Sequence, residues 1–232
     1  MDVVGKLPTR VFRDCFEAAL TPPVDPTLAL ETRLHEQGFP RVIGCDEVGR
    51  GPLAGPVVVG LVVWEPTQGA WPEGLRDSKA LSEKKRPAIA EAIPEFFPHH
   101  AIGQASPQEI DDRGIVVALA TAVVRGLRDL ASQGVAVGSS VLLLDGSHDF
   151  VTPHLPHPLA VRTQEKADRD CVSVAAASVL AKVHRDATMV RYAATYPEYG
   201  FESNKGYGSA GHRQAITDHG VTEVHRTTWI HF

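Results

Sequence analysis

Residues 42–55 read VIGCDEVGRGPLAG. The apolar run from Val42 is typical of a buried strand, yet it carries two adjacent acids, Asp46 and Glu47. Burying one carboxylate without a partner is costly, and a second carboxylate beside it adds repulsion, so such a pair is kept mainly where cations neutralise it. A divalent metal ion is the natural candidate. The alternative is an acidic pair that merely ends a strand in solvent.

Two glycines flank an arginine just after these acids, at Gly49, Arg50 and Gly51, and Pro52 closes the turn. Such glycines allow positive φ and present backbone N–H groups at close range, while a guanidinium group suits phosphate. Most Gly-x-Gly turns only reverse the chain. With the arginine between the glycines, this turn predicts contact with a nucleic acid backbone.

The stretch DEVGRGPLAGP, which starts at Asp46, resembles the signature of the bacterial type 2 ribonucleases H. Four further segments are similar to this family in the same order: DSKALSEKKR from residue 77, VLLLDG at 141–146, KADRDCVSVAAASVLAKVHRD at 166–186 and NKGYGS at 204–209. The resemblance covers the chain from about residue 40 onward. It implies an α/β protein with the ribonuclease H-like fold, a mixed five-stranded sheet flanked by helices, with a small C-terminal helical extension.

The chain has 232 residues, 43% hydrophobic and 22% charged, which suits one main domain. We expect an N-terminal helical extension at 1–39, a catalytic domain at 40–196 and a substrate-binding extension at 197–232. The net charge of −5 argues against a polyanionic partner, but the sign of a local patch matters more than the sum. Basic residues cluster at 84–86, 182–185, 205, 212–213 and 225–226.

The cysteines and the apolar runs indicate the compartment. Cys15, Cys45 and Cys171 are widely spaced without a CxxC pattern, which predicts a reducing environment. Cys45 and Cys171 lie in apolar surroundings and are interpreted as small buried residues. The sequence contains neither an apolar run long enough to cross a membrane nor a signal peptide. We expect a cytoplasmic monomer.

Periodicity and capping residues predict the elements. An N-terminal helix would start with Asp25 as N-cap and Pro26 at the first helical position, and would end before Gly38. Ser82 would cap the next helix. Predicted strands span 41–46, 56–64, 99–105, 141–145 and 159–163, and predicted helices span 82–93, 115–132, 169–196 and 210–219.

Four acids are the candidate catalytic and metal-binding residues: Asp46, Glu47, Asp145 and Asp168. By resemblance they match the family's catalytic Asp-Glu-Asp-Asp set, and two Mg²⁺ or Mn²⁺ ions are expected during catalysis. Two ions roughly 4 Å apart activate water and stabilise both the scissile phosphate and the leaving oxygen. Mg²⁺ prefers oxygen ligands in octahedral geometry, so carboxylates from several elements have to converge.

Each acid also has a structural interpretation. Asp145 before Gly146 fits simple turn chemistry, and Asp168 could be a helix N-cap. Asp170 competes with Asp168 for the fourth position, although the family pattern favours the acid after Lys-Ala. Because consecutive strand residues point to opposite faces, Glu47 can join Asp46 only if the backbone bends where the strand ends.

Tyr207 and several basic residues are candidates for substrate binding. Tyr207 lies between two glycines, where an exposed ring suits stacking on a base or sugar. Lys182 and Arg185 are three apart on one helix and could face phosphates together. Ser78 and Lys79 resemble phosphate contacts, and Lys205 precedes the Gly-Tyr-Gly loop. The resemblance implies that the loop of Gly49, Arg50 and Gly51 reads the ribose 2′-hydroxyl and that Tyr207 senses the following deoxyribose.

Two positions depart from the family. Gly114 stands where many relatives carry an asparagine implicated in backbone contact, and Ser209 replaces the usual threonine. Neither position belongs to the predicted metal ligands, and Ser209 keeps the hydroxyl.

The expected function is that of a metal-dependent endonuclease that hydrolyses the RNA strand of RNA–DNA hybrids and cuts 5′ of single ribonucleotides in duplex DNA. The ends would be 3′-hydroxyl and 5′-phosphate, with a role in ribonucleotide excision repair and primer removal. One alternative is a type 3 ribonuclease H, for whose N-terminal domain forty residues are too few. The other is an inactive hybrid-binding module, which the presence of all four acids disfavours. The sequence contains no readable signal for docking on a replication clamp.

Overall fold

The computed structural model describes residues 25–232, so Cys15 and the first 24 residues of the predicted N-terminal extension lie outside it. The strands are β1 Val42–Val48, β2 Val57–Trp64, β3 His100–Ala105, β4 Val141–Asp145 and β5 Ala160–Gln164. The helices are α1 Ala29–Glu36, α2 Arg86–Phe96, α3 Pro107–Arg113, α4 Ile115–Ser132, α5 Ala167–Asp170, α6 Val172–Thr195, α7 Phe201–Asn204 and α8 Ala210–His219. Single 3₁₀ turns occupy Val137–Ser139, Thr152–His154, Pro197–Tyr199 and Thr227–Trp229.

The five strands form one mixed sheet in the order β3-β2-β1-β4-β5. Strand β1 pairs antiparallel with β2 and parallel with β4, while β2–β3 is antiparallel and β4–β5 is parallel. This confirms the predicted α/β fold. The β1–β4 register places Cys45 beside Leu144, so the next residues, Asp46 and Asp145, follow on neighbouring parallel strands.

Each face of the sheet is covered by one long helix. Ile43 and Cys45 contribute to an apolar cluster with α4, whereas Val42 belongs to a second cluster with α6. Gly60 permits close approach on the α6 face, since a Cβ there would clash with the carbonyl group of Ala177. The small residues of AAAS in α6 therefore have the predicted structural role of bringing this helix down onto the strands that carry the acids.

Several boundaries differ from the prediction. Helix α1 begins at Ala29, because Asp25 is bound to Arg76 Nε at 2.7 Å and does not cap it. Ser82 starts a turn, and α2 begins only at Arg86. The predicted helix 169–196 is divided at Cys171, whose extended backbone separates α5 from α6.

Helix α3 was not predicted, although its sequence contains a readable start signal. Ser106 and Glu109 form a capping box, in which each side chain binds the other residue's backbone N–H. Asp111 on this helix accepts hydrogen bonds from Thr227 and Thr228 and so ties α3 to the C-terminal segment.

The C-terminal segment has its own small core. Met189 at the end of α6 packs there with Tyr199, Phe201 and Ile216, and Ala54 from the loop after the Gly-Arg-Gly turn joins them. The predicted extension therefore rests directly on the loop that leaves β1. Across residues 25–232, none of the helices combines the length and apolarity that a membrane span requires.

Candidate active site

Asp46 and Asp145 lie at the carboxyl ends of β1 and β4. Asp46 is buried, and its burial raises the pKa of the carboxyl group to about 8, with further contributions from the charges of Glu47 and Asp145. The pKa of Asp145 is raised mainly by burial and next by the charge of Asp168. These acids interact electrostatically, so the interpretation of Asp145 as only a turn residue does not account for its position.

Asp168 joins them from α5. Its backbone N–H donates to Asp145 Oδ1 at 3.3 Å, and its carboxylate accepts from Lys79 Nζ at 3.0 Å. The residue is buried and makes no N-cap bond, since Lys166 holds the cap position with φ of 60°. The rival Asp170 is bound to its neighbour Arg169 at 2.6 Å. The structure therefore places Asp168, and not Asp170, against Asp145.

Glu47 reaches this region without the expected bend. Strand β1 stays in register through Val48, with Glu47 opposite Val59, so Glu47 lies on the other face of the pleat from Asp46. The backbone turns only after Val48, at Gly49 with φ of 87°, so the bend lies downstream of Glu47 and does not bring it to the face of Asp46. Burial raises the pKa of Glu47, Arg50 opposes that shift by donating to its carboxylate at 3.3 Å, and Asp145 adds to it. Glu47 thus belongs to the same electrostatic cluster from the opposite face of the central strand.

The donor set is suited to a hard divalent cation. All four candidates offer carboxylate oxygens, the ligands that Mg²⁺ and Mn²⁺ prefer. Burial, together with the charge of a neighbouring acid, raises the pKa of Asp46, Glu47 and Asp145 and so disfavours the ionised forms of these three. Among residues 25–232, no three His, Cys, Asp or Glu side chains already converge as a metal site requires. Two of the four acids are instead turned onto cationic side chains, Asp168 onto Lys79 and Glu47 onto Arg50.

The Gly-Arg-Gly turn and the Tyr207 loop form one surface. The Tyr207 ring lies 3.9 Å from the position that a Cβ on Gly51 would take, and the tyrosine is 49% exposed. The carbonyl oxygen of Gly206 accepts from the N–H groups of Leu53 and Ala54 at 2.8 and 3.2 Å. Two segments more than 150 residues apart are therefore joined backbone to backbone.

Arg185 does not face solvent as predicted. It is fully buried, and its guanidinium group donates to the carbonyl oxygens of Ala54, Pro56 and Lys205 at 2.9–3.0 Å. A phosphate cannot reach a guanidinium group whose donors are used inside the protein. The assignment of Arg185 to substrate binding is corrected to a structural role, in which it holds the turn after β1 against the Tyr207 loop.

Arg226 has a matching role that the sequence did not reveal. It is also fully buried and donates to the carbonyl oxygens of Gly49, Arg50 and Gly55 at 2.6–3.1 Å. Burial first, and then the charge of Arg185, lower its pKa to about 9. In the sequence it belonged to one basic cluster among several, and nothing in its neighbours distinguished it from an exposed arginine.

The remaining candidates are placed as follows. Ser78 is buried and accepts from Ser178 Oγ at 2.9 Å, which corrects the predicted phosphate contact to a contact between its loop and α6. Lys182 is bound to Asp186 at 2.7 Å, and Lys205 lies 3.4 Å from Glu83.

The structure shows the local roles of Ser209 and Gly114, the two residues that depart from the family pattern. Ser209 caps α8 through its hydroxyl group. Gly114 joins α3 to α4 with φ of 78° and ψ of 159°, a conformation that suits glycine, so an asparagine here would require a different backbone.

Replacing Arg226 with Met is expected to lower the free energy of unfolding by roughly 2–4 kcal/mol, because each buried carbonyl oxygen left without a donor costs ~1–3 kcal/mol. The substitution also removes the repulsion between Arg226 and Arg185, which offsets only part of this loss. Urea unfolding measures the loss. Arg128→Met on the exposed face of α4 is the control and should change little. Equal stability of both variants would contradict the assigned role of Arg226.

The mixed sheet, with acids gathered at the carboxyl ends of two parallel strands, defines a hydrolase of the ribonuclease H class. The family model described as Ribonuclease HII matches residues 43–232. A ribonuclease HII of Syntrophotalea carbinolica is 45% identical over 202 residues, which cover 87% of this chain and 91% of that one. The chain therefore belongs to the ribonuclease HII family, and it is an endoribonuclease that acts on RNA–DNA hybrids.

Solved structures agree on the fold. The ribonuclease H2 of Pyrococcus horikoshii OT3 aligns with a TM-score of 0.65 and 25% identity, over 82% of this chain and 93% of that chain. Bst-RNase HIII, crystallised in complex with Mn²⁺, aligns with a TM-score of 0.66 and 22% identity over 84% of this chain and 68% of that chain. Because Bst-RNase HIII is 22% identical to this chain, the similarity between the two shows a shared fold alone.

Proposed function

We propose that this protein is a metal-dependent endonuclease that cleaves the RNA strand of hybrids and also cuts 5′ of a single ribonucleotide in duplex DNA, leaving 3′-hydroxyl and 5′-phosphate ends. The observation that carries the proposal is the adjacency of two features. Glu47 of the acid cluster is bound to Arg50 at 3.3 Å, and Gly51 of the same turn lies beside the Tyr207 ring, which is 3.9 Å from the position that a Cβ on this glycine would take. This adjacency supports a cleavage site next to the surface that would read the sugar.

In this proposal Asp46, Glu47, Asp145 and Asp168 hold two Mg²⁺ or Mn²⁺ ions. Bound there, the ions would lower the pKa of water and neutralise charge on the scissile phosphate. Support comes from the oxygen-only donor set and from Bst-RNase HIII, whose crystal structure contains Mn²⁺. Lys79 and Arg50 pair with two of these acids in this structure, and with metal bound to the carboxylates both cations would be free to contact substrate phosphate.

The protein groups that recognise the substrate lie on the joined surface. The backbone of Gly49, Arg50 and Gly51 would contact the ribose 2′-hydroxyl, the group that distinguishes RNA from DNA, and Tyr207 would stack on the next deoxyribose. The proposal treats residues 40–196 as the catalytic unit and 197–232 as the substrate-binding extension, in a cytoplasmic enzyme that removes ribonucleotides and RNA primers from DNA.

Cleavage of a DNA duplex with one embedded ribonucleotide tests the proposal. Incubation with Mg²⁺ or Mn²⁺ should yield a single cut 5′ of the ribonucleotide, and EDTA should prevent it. An all-DNA duplex of the same sequence is the matched control and should stay intact. Binding of the ribonucleotide duplex without cleavage, at saturating metal, would favour an inactive hybrid-binding module instead.

A further inference from the structure

Two buried histidines lie behind the Tyr207 loop. His212 on α8 and His225 in the segment after it are 1% and 2% exposed, and their Nε2 atoms are 3.1 Å apart. Their outer nitrogens are also engaged. His212 Nδ1 lies 2.9 Å from the carbonyl oxygen of Tyr207, and His225 Nδ1 lies 3.0 Å from the backbone nitrogen and 2.9 Å from the hydroxyl oxygen of Thr222.

These partners determine where the protons are. The carbonyl oxygen of Tyr207 can only accept, so His212 carries its proton on Nδ1 and leaves Nε2 bare. The N–H of Thr222 can only donate, so Nδ1 of His225 is bare and its proton is on Nε2. The His225 Nε2–H group then donates to His212 Nε2. Both rings are neutral, with opposite tautomers, in one chain of hydrogen bonds from Thr222 to Tyr207.

The surroundings favour neutral rings. The Tyr199 ring lies 4.8 Å from the ring of His225, and the Phe201 ring lies 5.2 Å from that of His212, centroid to centroid. Burial, and then the neighbouring His212, lower the pKa of His225 to about 4, and burial lowers the pKa of His212.

We infer that His212 and His225 are positioning residues for Tyr207. Within the loop, the Tyr207 carbonyl already accepts from the N–H of Ser209 at 2.8 Å, and His212 adds a second donor from α8. This fixes the peptide plane that follows Tyr207 and therefore the direction in which its ring leaves the loop. The inference deepens the proposed function and rests on it, because Tyr207 matters only if its ring contacts substrate.

His225 and Arg226 are consecutive, and each acts on a different half of the joined surface. His225 reaches Tyr207 through His212, whereas Arg226 holds the carbonyl oxygens of Gly49 and Arg50. One dipeptide of the C-terminal segment thereby sets the relative placement of the two loops.

Two substitutions of His212 separate the hydrogen bond from the volume of the ring. His212→Phe keeps a ring but removes the donor, whereas His212→Asn keeps an N–H donor near the Nδ1 position. We expect His212→Phe to lower kcat/KM for the single-ribonucleotide duplex ~10-fold more than kcat/KM for a long hybrid, and His212→Asn to restore most of that ratio. Equal loss on both substrates, or no rescue by asparagine, would overturn the inference.

A double variant tests whether His212 acts through Tyr207. With Tyr207→Ala already present, His212→Phe should change the ratio of the two kcat/KM values no further, since the ring that it positions is gone. If the two changes multiply, His212 acts on recognition by another route and the inference is wrong.

A measurement on the wild-type protein does not depend on activity. Nitrogen NMR of protein labelled in its histidines should show His212 as the Nδ1–H tautomer and His225 as the Nε2–H tautomer, with the pKa of each ring below its ordinary value and that of His225 at about 4. Protonation of either ring near its ordinary pKa, or the reverse tautomers, would overturn the inference. If the tautomers are as expected but the single-ribonucleotide duplex is not cut, the proposed function has failed and the hydrogen-bond chain stands.

Discussion

Asp46→Asn and Asp145→Asn should each lower cleavage at least ~10³-fold while leaving the fold intact, because stabilisation of charge in the transition state is lost with the ion. The metal-free variants should be as stable as the wild type or slightly more stable. Asp46 is buried beside other acids, and the asparagine side chain that replaces it carries no charge that must be desolvated. Circular dichroism and thermal unfolding without metal measure the stability.

The control for these variants is Asp170→Asn. Asp170 follows Asp168 by two residues but is bound to Arg169, so its substitution should leave turnover nearly unchanged. Single-turnover cleavage at saturating Mg²⁺ or Mn²⁺ compares all three variants. Wild-type rates in Asp46→Asn or Asp145→Asn would place the metal site elsewhere, and a large loss in Asp170→Asn would remove the preference for Asp168.

Tyr207→Ala should lose activity selectively. Removing a stacking ring costs on the order of 1–3 kcal/mol, a factor of roughly ten to a hundred in recognition. We expect this full factor on a duplex with a single embedded ribonucleotide, because only one binding register is productive there. On a long RNA–DNA hybrid, many registers and many 2′-hydroxyl groups compensate, so the decrease should be much smaller.

The ratio of kcat/KM for the two substrates is the measurement, with Tyr207→Phe as the matched control that keeps the ring. Because Tyr207 is half exposed, the alanine variant should unfold at nearly the wild-type temperature. A proportional loss on both substrates would mean that Tyr207 supports general binding or the fold and does not sense the junction between RNA and DNA.

From the sequence alone, the strands of the sheet could be predicted and four acids could be named as candidate metal ligands. Strands β1, β2 and β4 are short apolar runs that end at a glycine or an acid, and this pattern is local, so it is readable without the fold. The order of the family-like segments identified Asp46, Glu47, Asp145 and Asp168 as a set. Tyr207 could be predicted as an exposed aromatic residue because core aromatics are rarely flanked by two glycines.

Which polar side chains are buried, and what they contact, could be seen only in the folded protein. Arg185 and Arg226 look like ordinary basic residues in the sequence, yet both are completely enclosed and satisfied by backbone carbonyl oxygens. His212 and His225 become a pair only because α8 and the segment after it pack against each other. Burial and hydrogen-bond partners depend on segments far apart in the chain, and no local pattern of residues encodes which of those segments will meet.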